Sequence, residues 1–349
     1  MSLNHCYQGD CRDVMRQLIA DGVRVQCIVT SPPYWGLRDY GHPGQLGLEP
    51  TLPEFLANMV EVFELCRQLL ADDGTLWLNM GDSYAGSRRG GHSQAITGTG
   101  KDASKQAMIA SRRRDDAPVP RNDVRIEGLK PKDLVGQPWR LAFALQDAGW
   151  WLRQDIIWHK PNPMPESVRD RCTKAHEYLF LLTKGERYFF DQGAILEPVS
   201  PNTHARLAQN VQEQIGSARA NGGAKTNGNM KAVGRKVTTS GDATKNNASF
   251  DAAMAIMPTE RNRRSVWTIP TQSYSGAHFA TFPEALVEPC ILAGSRPGDI
   301  VFDPFMGSGT VASVAQRLGR NWLGSELNPD YINLQTDRTR QQGLLLAAG

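Results

Sequence analysis

Four consecutive residues, Ser31-Pro-Pro-Tyr34, carry the most pointed chemistry in this sequence. Two successive prolines stiffen a loop, remove two amide donors and leave carbonyls facing outward as acceptors. With the Ser31 hydroxyl beside them, that polarity fits a substrate offering an amino group. In isolation the same residues read first as a rigid turn that packs Tyr34 and Trp35 into a core.

A second constellation lies near the C-terminus, in Val301-Phe-Asp-Pro-Phe-Met-Gly-Ser-Gly-Thr310. It reads as a strand, a glycine-containing turn and a helix. Gly307 and Gly309 let backbone approach a ligand, and the first amides of the helix can hold a carboxylate or phosphate. Ala312 stands where a dinucleotide fingerprint has its third glycine, which weakens a nicotinamide reading. The next strand ends in Gly324-Ser-Glu326, and an acidic side chain there can accept hydrogen bonds from both ribose hydroxyls. A Gly-x-Gly turn alone is as easily structural; paired with Glu326 it points to a nucleoside-containing cofactor.

The elements that must position these residues can be read from hydrophobic pattern. Val25–Thr30 is a short, apolar and β-branched run read as a buried strand that presents Ser31 to Tyr34 at its carboxyl end. Pro53, Phe55, Met59, Phe63 and Leu70 predict a helix closed by Asp73 and Gly74, with a strand at Thr75–Asn79 after it. A helix is expected around Trp139–Asp147, then strands at Ile156–Trp158, Tyr178–Leu182 and Tyr188–Phe190, close enough together to suggest an antiparallel edge. Toward the C-terminus, helix (Pro283–Ala293), strand (Asp299–Asp303), helix (Gly309–Leu318), strand (Asn321–Glu326) and helix (Asp330–Gln341) alternate. That alternation argues for a parallel α/β sheet, whose strand carboxyl ends are where ligands bind.

The expected organisation is one domain assembled from about 1–84, 129–198 and 263–342. Two insertions, 85–128 and 199–262, are rich in Gly, Ser, Thr, Asn and Lys and too poor in large apolar residues to build cores of their own. Loops of that length are functional segments or linkers. Basic residues concentrate in 87–125, with Arg112, Arg113 and Arg114 in succession, and in 206–264, which suits phosphate contacts as well as a solvated loop.

The net charge of +3 in 349 residues names no partner by itself. No apolar run approaches the roughly 18 residues of a membrane span, and the N-terminus meets Asp10, Arg12 and Asp13 before any long apolar stretch, so the expected location is the cytoplasm. Six scattered cysteines without a C-x-x-C pair signal neither a disulfide framework nor zinc. The stretches around His42, His159 and His176 lack metal-ligand spacing, so no metal is expected. Cys290, after Pro289, could offer a thiol nucleophile, but it falls in an apolar helical pattern with Leu286 and Ala293, the setting of a structural thiol.

Together, Thr30-Ser-Pro-Pro-Tyr-Trp35 and Asp303-Pro-Phe-Met-Gly-Ser-Gly-Thr310 resemble the DNA amino-methyltransferases that make N4-methylcytosine or N6-methyladenine. The catalytic motif preceding the cofactor motif resembles the family's beta class. Trp158-His-Lys-Pro-Asn-Pro-Met-Pro165 and His176-Glu-Tyr178 extend the likeness. The resemblance implies a Rossmann-like methyltransferase fold with a mostly parallel sheet and circularly permuted motif order, with S-adenosylmethionine as cofactor. It implies that Asp303, Phe305, Gly307, Gly309 and Thr310 take the methionine part, Glu326 the ribose and Asp10 the adenine. His278, Phe282 and Pro283 would close over the methionine tail; Phe282 is equally a buried residue at a helix entry.

The resemblance further implies double-stranded DNA as partner, with a cognate restriction endonuclease as a possible counterpart and a nucleoid-associated location in a bacterial or phage-infected cell. Ser31, Pro32, Pro33 and Tyr34 are the implied catalytic residues. Tyr34 would stack on a flipped base, while the Ser31 hydroxyl and the Pro32 carbonyl accept from its amino group, giving direct in-line transfer. Serine at the first motif position resembles the cytosine-N4 members, with adenine-N6 as the alternative. RNA or protein-amide methylation, and a non-catalytic DNA-binding partner, are the remaining alternatives.

Overall fold

The computed structural model describes residues 2–37, 41–85, 128–199, 259–272 and 282–340. The chain divides into two compact units, Met1–Ala194 with Arg264–Gly349, and Ile195–Arg263. Most of both expected insertions, and His278, lie outside the described residues.

In the first unit the strands are β1 (His5–Gln8), β2 (Val25–Thr30), β3 (Leu70–Met80), β4 (Trp151–His159), β5 (His176–Thr183), β8 (Val266–Thr268), β9 (Ile300–Asp303) and β10 (Asn321–Glu326). They form one sheet in the order β1-β10-β9-β2-β3-β5-β4-β8. β5 is antiparallel to both neighbours, and every other pairing in this sheet is parallel. The carboxyl ends of the parallel strands therefore share one edge with the start of β5. This is an α/β fold with a mostly parallel sheet. The second unit contributes a short antiparallel pair, β6 (Glu197–Pro198) and β7 (Glu260–Arg261), joined by the ion pair Arg261–Glu197 at 2.9 Å.

The helices are α1 (Cys11–Ala20), α2 (Leu52–Leu69), α3 (Gln137–Asp147), α4 (Glu284–Gly294), α5 (Thr310–Arg317) and α6 (Pro329–Arg340). Local sequence starts them as physical chemistry requires. Asp10 caps α1 by accepting from the Arg12 amide at 2.8 Å. Thr51 caps α2 through the Glu54 amide at 3.3 Å, with Pro53 in the first turn, where its missing N–H has no partner to lose. Phe55, Met59, Val62, Phe63 and Leu69 of α2 are buried in the core with Ile28 and Leu76 of the sheet. Among the described residues no helix is long and apolar enough to cross a membrane.

Three expectations need correction. α2 ends at Leu69, before Asp73–Gly74, because Leu70 turns extended (φ −68°, ψ 141°) and begins β3. Gly74 serves close packing instead: a Cβ there would lie 2.7 Å from the Leu70 side chain and 2.9 Å from the Gln26 carbonyl. Tyr188–Phe190 is not a strand. Its backbone bonds outward instead, Phe189 N to Asp73 O and the next residue, Asp191 N, to Ala293 O, both at 2.8 Å, while the Phe190 ring stacks on Trp77 at 6.3 Å. Aromatic enrichment there reflects packing, not pairing. Finally, the antiparallel strand is not at the sheet's edge: β5 lies between β3 and β4, and the three-residue β8 closes the sheet.

Candidate functional site

One cavity of about 340 Å³ opens at the shared strand edge. Asp10, Ser31, Pro32, Pro33, Tyr34, Phe282, Phe305, Gly307, Thr310 and Glu326 all line it. Motifs 273 residues apart in the chain thus meet because β2 and β9 are adjacent parallel strands. Asp303, Gly309 and Pro283 are not on the cavity wall; Asp303 is fully buried behind it.

The loop after β2 divides its aromatic pair. Tyr34 faces the cavity, whereas Trp35 is buried, its indole N–H donating to the Glu49 carbonyl at 2.8 Å and its amide to Gln137 Oε1 at 3.0 Å. Anchoring Trp35 fixes the backbone that carries Ser31 to Tyr34. Burial, and then the nearby Glu177 carboxylate, hold the Tyr34 phenol well above its ordinary pKa, so it remains a neutral hydroxyl.

Asp303 staples the two motifs together. Its Oδ1 accepts from the Thr30 hydroxyl at 2.7 Å and from the Phe305 amide at 2.9 Å. Its Oδ2 is buried without a hydrogen-bond partner among the described residues. Burial pushes its carboxyl up to about 7, against those two hydrogen bonds, which pull it down. Glu326 is raised by burial too, while its oxygens accept the amides of Gly307 (Oε2, 2.8 Å) and Asn328 (Oε1, 2.8 Å). Each oxygen of Glu326 keeps acceptor capacity for a further donor. Asp10 is held below the usual carboxylate range by Arg12, whose guanidinium binds it at 2.6 and 3.0 Å.

The glycine turn is braced from outside by α6, a helix that carries no motif of its own. Gln335 donates to the Gly307 carbonyl at 2.6 Å. Arg338 donates to the Ser308 and Thr310 hydroxyls, each at 3.0 Å, and to Glu284 at 3.1 Å. Gly309 has φ +84°, and a Cβ on it would lie 2.9 Å from the Gln335 side chain and 3.3 Å from its Cα. Its glycine therefore answers both the left-handed backbone and the approach of α6.

These donors and acceptors fit S-adenosylmethionine. Glu326 presents a half-buried carboxylate suited to a diol, and the loop from Phe305 to Thr310 lines the cavity at the start of α5, suited to a zwitterionic tail. Residues absent from the expected set also line the cavity: Asn79, Trp158, Lys160 and Glu177. Trp158, Lys160 and Glu177 fall within motifs visible in the sequence; what hid their role was the antiparallel pairing that brings β4 and β5 beside β3. Cys290 is buried on α4, its thiol donating to the Leu286 carbonyl at 3.2 Å, and does not line the cavity. It has the setting of a packing residue.

Comparison with known proteins agrees with this geometry. Residues 25–337 match the family model described as DNA methylase, of the N6 and N4 type. The chain is 44% identical over 336 residues to the Type II methyltransferase M.XycI of Xanthomonas campestris pv. cyanopsidis, covering 96% of this chain and 87% of that protein. It is 43% identical over 330 residues to the Type II methyltransferase M.SmaI of Serratia marcescens, covering 95% and 88% respectively. Among solved structures, the cytosine-N4-specific PvuII DNA methyltransferase superposes with a TM-score of 0.54 at 17% identity, over 97% of this chain and 86% of that one, a likeness of fold.

Proposed function

The chain belongs to the DNA methylase family of N6 and N4 amino-methyltransferases, which are S-adenosylmethionine-dependent enzymes acting on DNA, and from that premise we propose that it methylates the N4 amino group of cytosine in duplex DNA. The observation that carries the reading is that Ser31, Tyr34 and Glu326 line a single cavity.

Bound there, S-adenosylmethionine supplies an electrophilic methyl group. Glu326 would accept the ribose hydroxyls, and Asp10 would border the adenine. Phe305, Gly307 and Thr310 would hold the methionine end, with Phe282 closing over it. Asp303 and Gly309 act from behind the wall, holding the shape of the turn.

A base inside the duplex cannot reach this cavity, so it leaves the stack, and Tyr34 offers its ring as a stacking face. The Ser31 hydroxyl and the Pro32 carbonyl accept from the amino group. The two acceptors draw its protons into one plane and turn the nitrogen lone pair toward the methyl donor. As charge grows on nitrogen, both acceptors gain, which is where the rate is earned. The nitrogen is itself the nucleophile, so the chain needs no covalent catalytic residue.

Ser31 favours cytosine over adenine within the family pattern, since its position more often holds Asp in adenine-N6 members. The single-domain assembly of about 1–84, 129–198 and 263–342 leaves sequence recognition to 199–262 first and 85–128 second. Because both relatives are named Type II methyltransferases, we assign the chain to a modification system with a restriction endonuclease as counterpart, acting at cytoplasmic DNA. Incubation with unmethylated duplex and methyl-labelled S-adenosylmethionine, followed by nucleoside mass spectrometry, tests the base. N4-methyldeoxycytidine is expected; N6-methyldeoxyadenosine would keep the chemistry and overturn the choice of base.

A further inference from the structure

We propose that Glu177 is a positioning residue for methyl transfer, terminating a hydrogen-bonded chain that orients the Tyr34 and Ser31 hydroxyls toward it. The proposal rests on the reading that Ser31 accepts from the target amino group.

Glu177 lies at the start of β5 and lines the cavity with Asn79, Lys160, Ser31 and Tyr34. Its Oε1 is ion-paired with Lys160, both side chains being less than a fifth exposed. Lys160 is itself held over the Trp158 ring, 4.2 Å from the centroid. The other oxygen, Oε2, accepts from the Tyr34 hydroxyl at 3.1 Å and from Asn79 Nδ2 at 3.3 Å, while Asn79 also donates to the Tyr178 carbonyl at 3.0 Å. Gly81 admits this packing: a Cβ there would lie 2.9 Å from Tyr34 Cε2 and 3.3 Å from the Glu177 carboxyl carbon.

The consequence is directional. A carboxylate paired with an ammonium only accepts, and at 3.1 Å it takes the single Tyr34 proton in preference to the neutral Asn79 Oδ1 at 3.4 Å. The phenol oxygen is left as an acceptor facing Ser31 Oγ, 3.4 Å away. Ser31 then donates its own proton to Tyr34 and keeps its lone pairs for the incoming amino group. Without Glu177 the hydroxyls are free to reverse, and a Ser31 proton aimed at the amino group repels it.

Glu177→Gln tests this sharply, because Lys160 draws the amide oxygen and turns the NH₂ toward Tyr34, reversing the chain. The experiment measures single-turnover methyl-transfer rates and S-adenosylmethionine and duplex affinities for wild type, E177Q, Y34F, the double variant and S31A. We expect E177Q and Y34F each to slow transfer on the order of 10-fold or more with affinities within about 2-fold, and E177Q to cost less than about 2-fold further in the Y34F background. Multiplying losses, or an E177Q rate equal to wild type, would overturn the proposal. If E177Q does not fold, Y34F carries the test, and an unchanged Y34F rate overturns it. S31A separates the two levels: an active S31A sinks the reading of the motif, whereas an inactive S31A beside fully active E177Q and Y34F sinks only the chain.

Discussion

Ser31→Ala slows methyl transfer on the order of 100-fold while leaving S-adenosylmethionine affinity unchanged. The size reflects removing one preorganised polar contact to a centre where charge develops, which in other enzymes costs about 10²- to 10³-fold. The separation of effects comes from position. Ser31 is at the carboxyl end of β2, across the cavity from the Glu326 carboxylate on β10, with β9 between those strands. Its hydroxyl has no part in bracing the glycine turn, which hangs on Asp303, Gln335 and Arg338. Rapid-quench single turnovers with labelled cofactor, alongside equilibrium cofactor binding, check both halves. A variant with wild-type rate would remove Ser31 from the chemistry, and one that loses cofactor affinity would make it a structural support.

Glu326→Ala has the opposite profile, weakening S-adenosylmethionine binding on the order of 10²- to 10⁴-fold, with a much smaller change in the rate at saturation. A charge-assisted hydrogen bond contributes about 1.5 to 3 kcal/mol, and Glu326 is placed to make two to a diol. Part of the loss comes through the loop, since the Gly307 and Asn328 amides lose their acceptor. Glu326→Gln distinguishes the contributions: it keeps one acceptor oxygen but leaves one amide facing an NH₂, so its affinity should fall between wild type and alanine. Calorimetric titration with S-adenosylmethionine and with its demethylated product measures this. Equal affinities for wild type and Glu326→Ala would contradict the ribose assignment.

Much of this site was legible in the chain because its key residues sit at strand ends that periodicity marks well. Val25–Thr30 and Asn321–Glu326 are short apolar runs bounded by polar or turn residues, and the structure places β2 and β10 on those residues. Once two such strands run parallel in one sheet, the loops leaving their carboxyl ends must meet at one edge. Sequence pattern said less where tertiary packing decides. Leu70 continues the apolar spacing of α2 but turns extended to open β3, and local propensity does not record that. Tyr188–Phe190 has strand composition without a strand partner. Asn79, Lys160 and Glu177 come together only because β5 inserts antiparallel between β3 and β4, bringing together residues nearly 100 positions apart in the chain. Gln335 and Arg338 are polar residues on a helix whose sequence shows no reason to touch the glycine turn.

The two carboxylates near the cofactor region illustrate how environment separates roles. Asp10, partly exposed and bound to Arg12, is held firmly ionised. Asp303, fully buried, is pushed up to about 7 and joins β2 to β9. Asp10 and Glu326 line the cavity, whereas Asp303 lies behind it and holds the Phe305 amide.

The methyl group is expected on an exocyclic nitrogen by direct attack, with the Ser31 loop as acceptor and no cysteine nucleophile. N4-methylcytosine and 5-methylcytosine have the same mass but separate chromatographically, so one reversed-phase analysis of the labelled cytidine fraction from wild-type enzyme decides the matter. All label should elute as N4-methyldeoxycytidine. Label eluting as 5-methyldeoxycytidine would contradict it, requiring a covalent cysteine mechanism that the buried Cys290, away from the cavity, is not placed to perform.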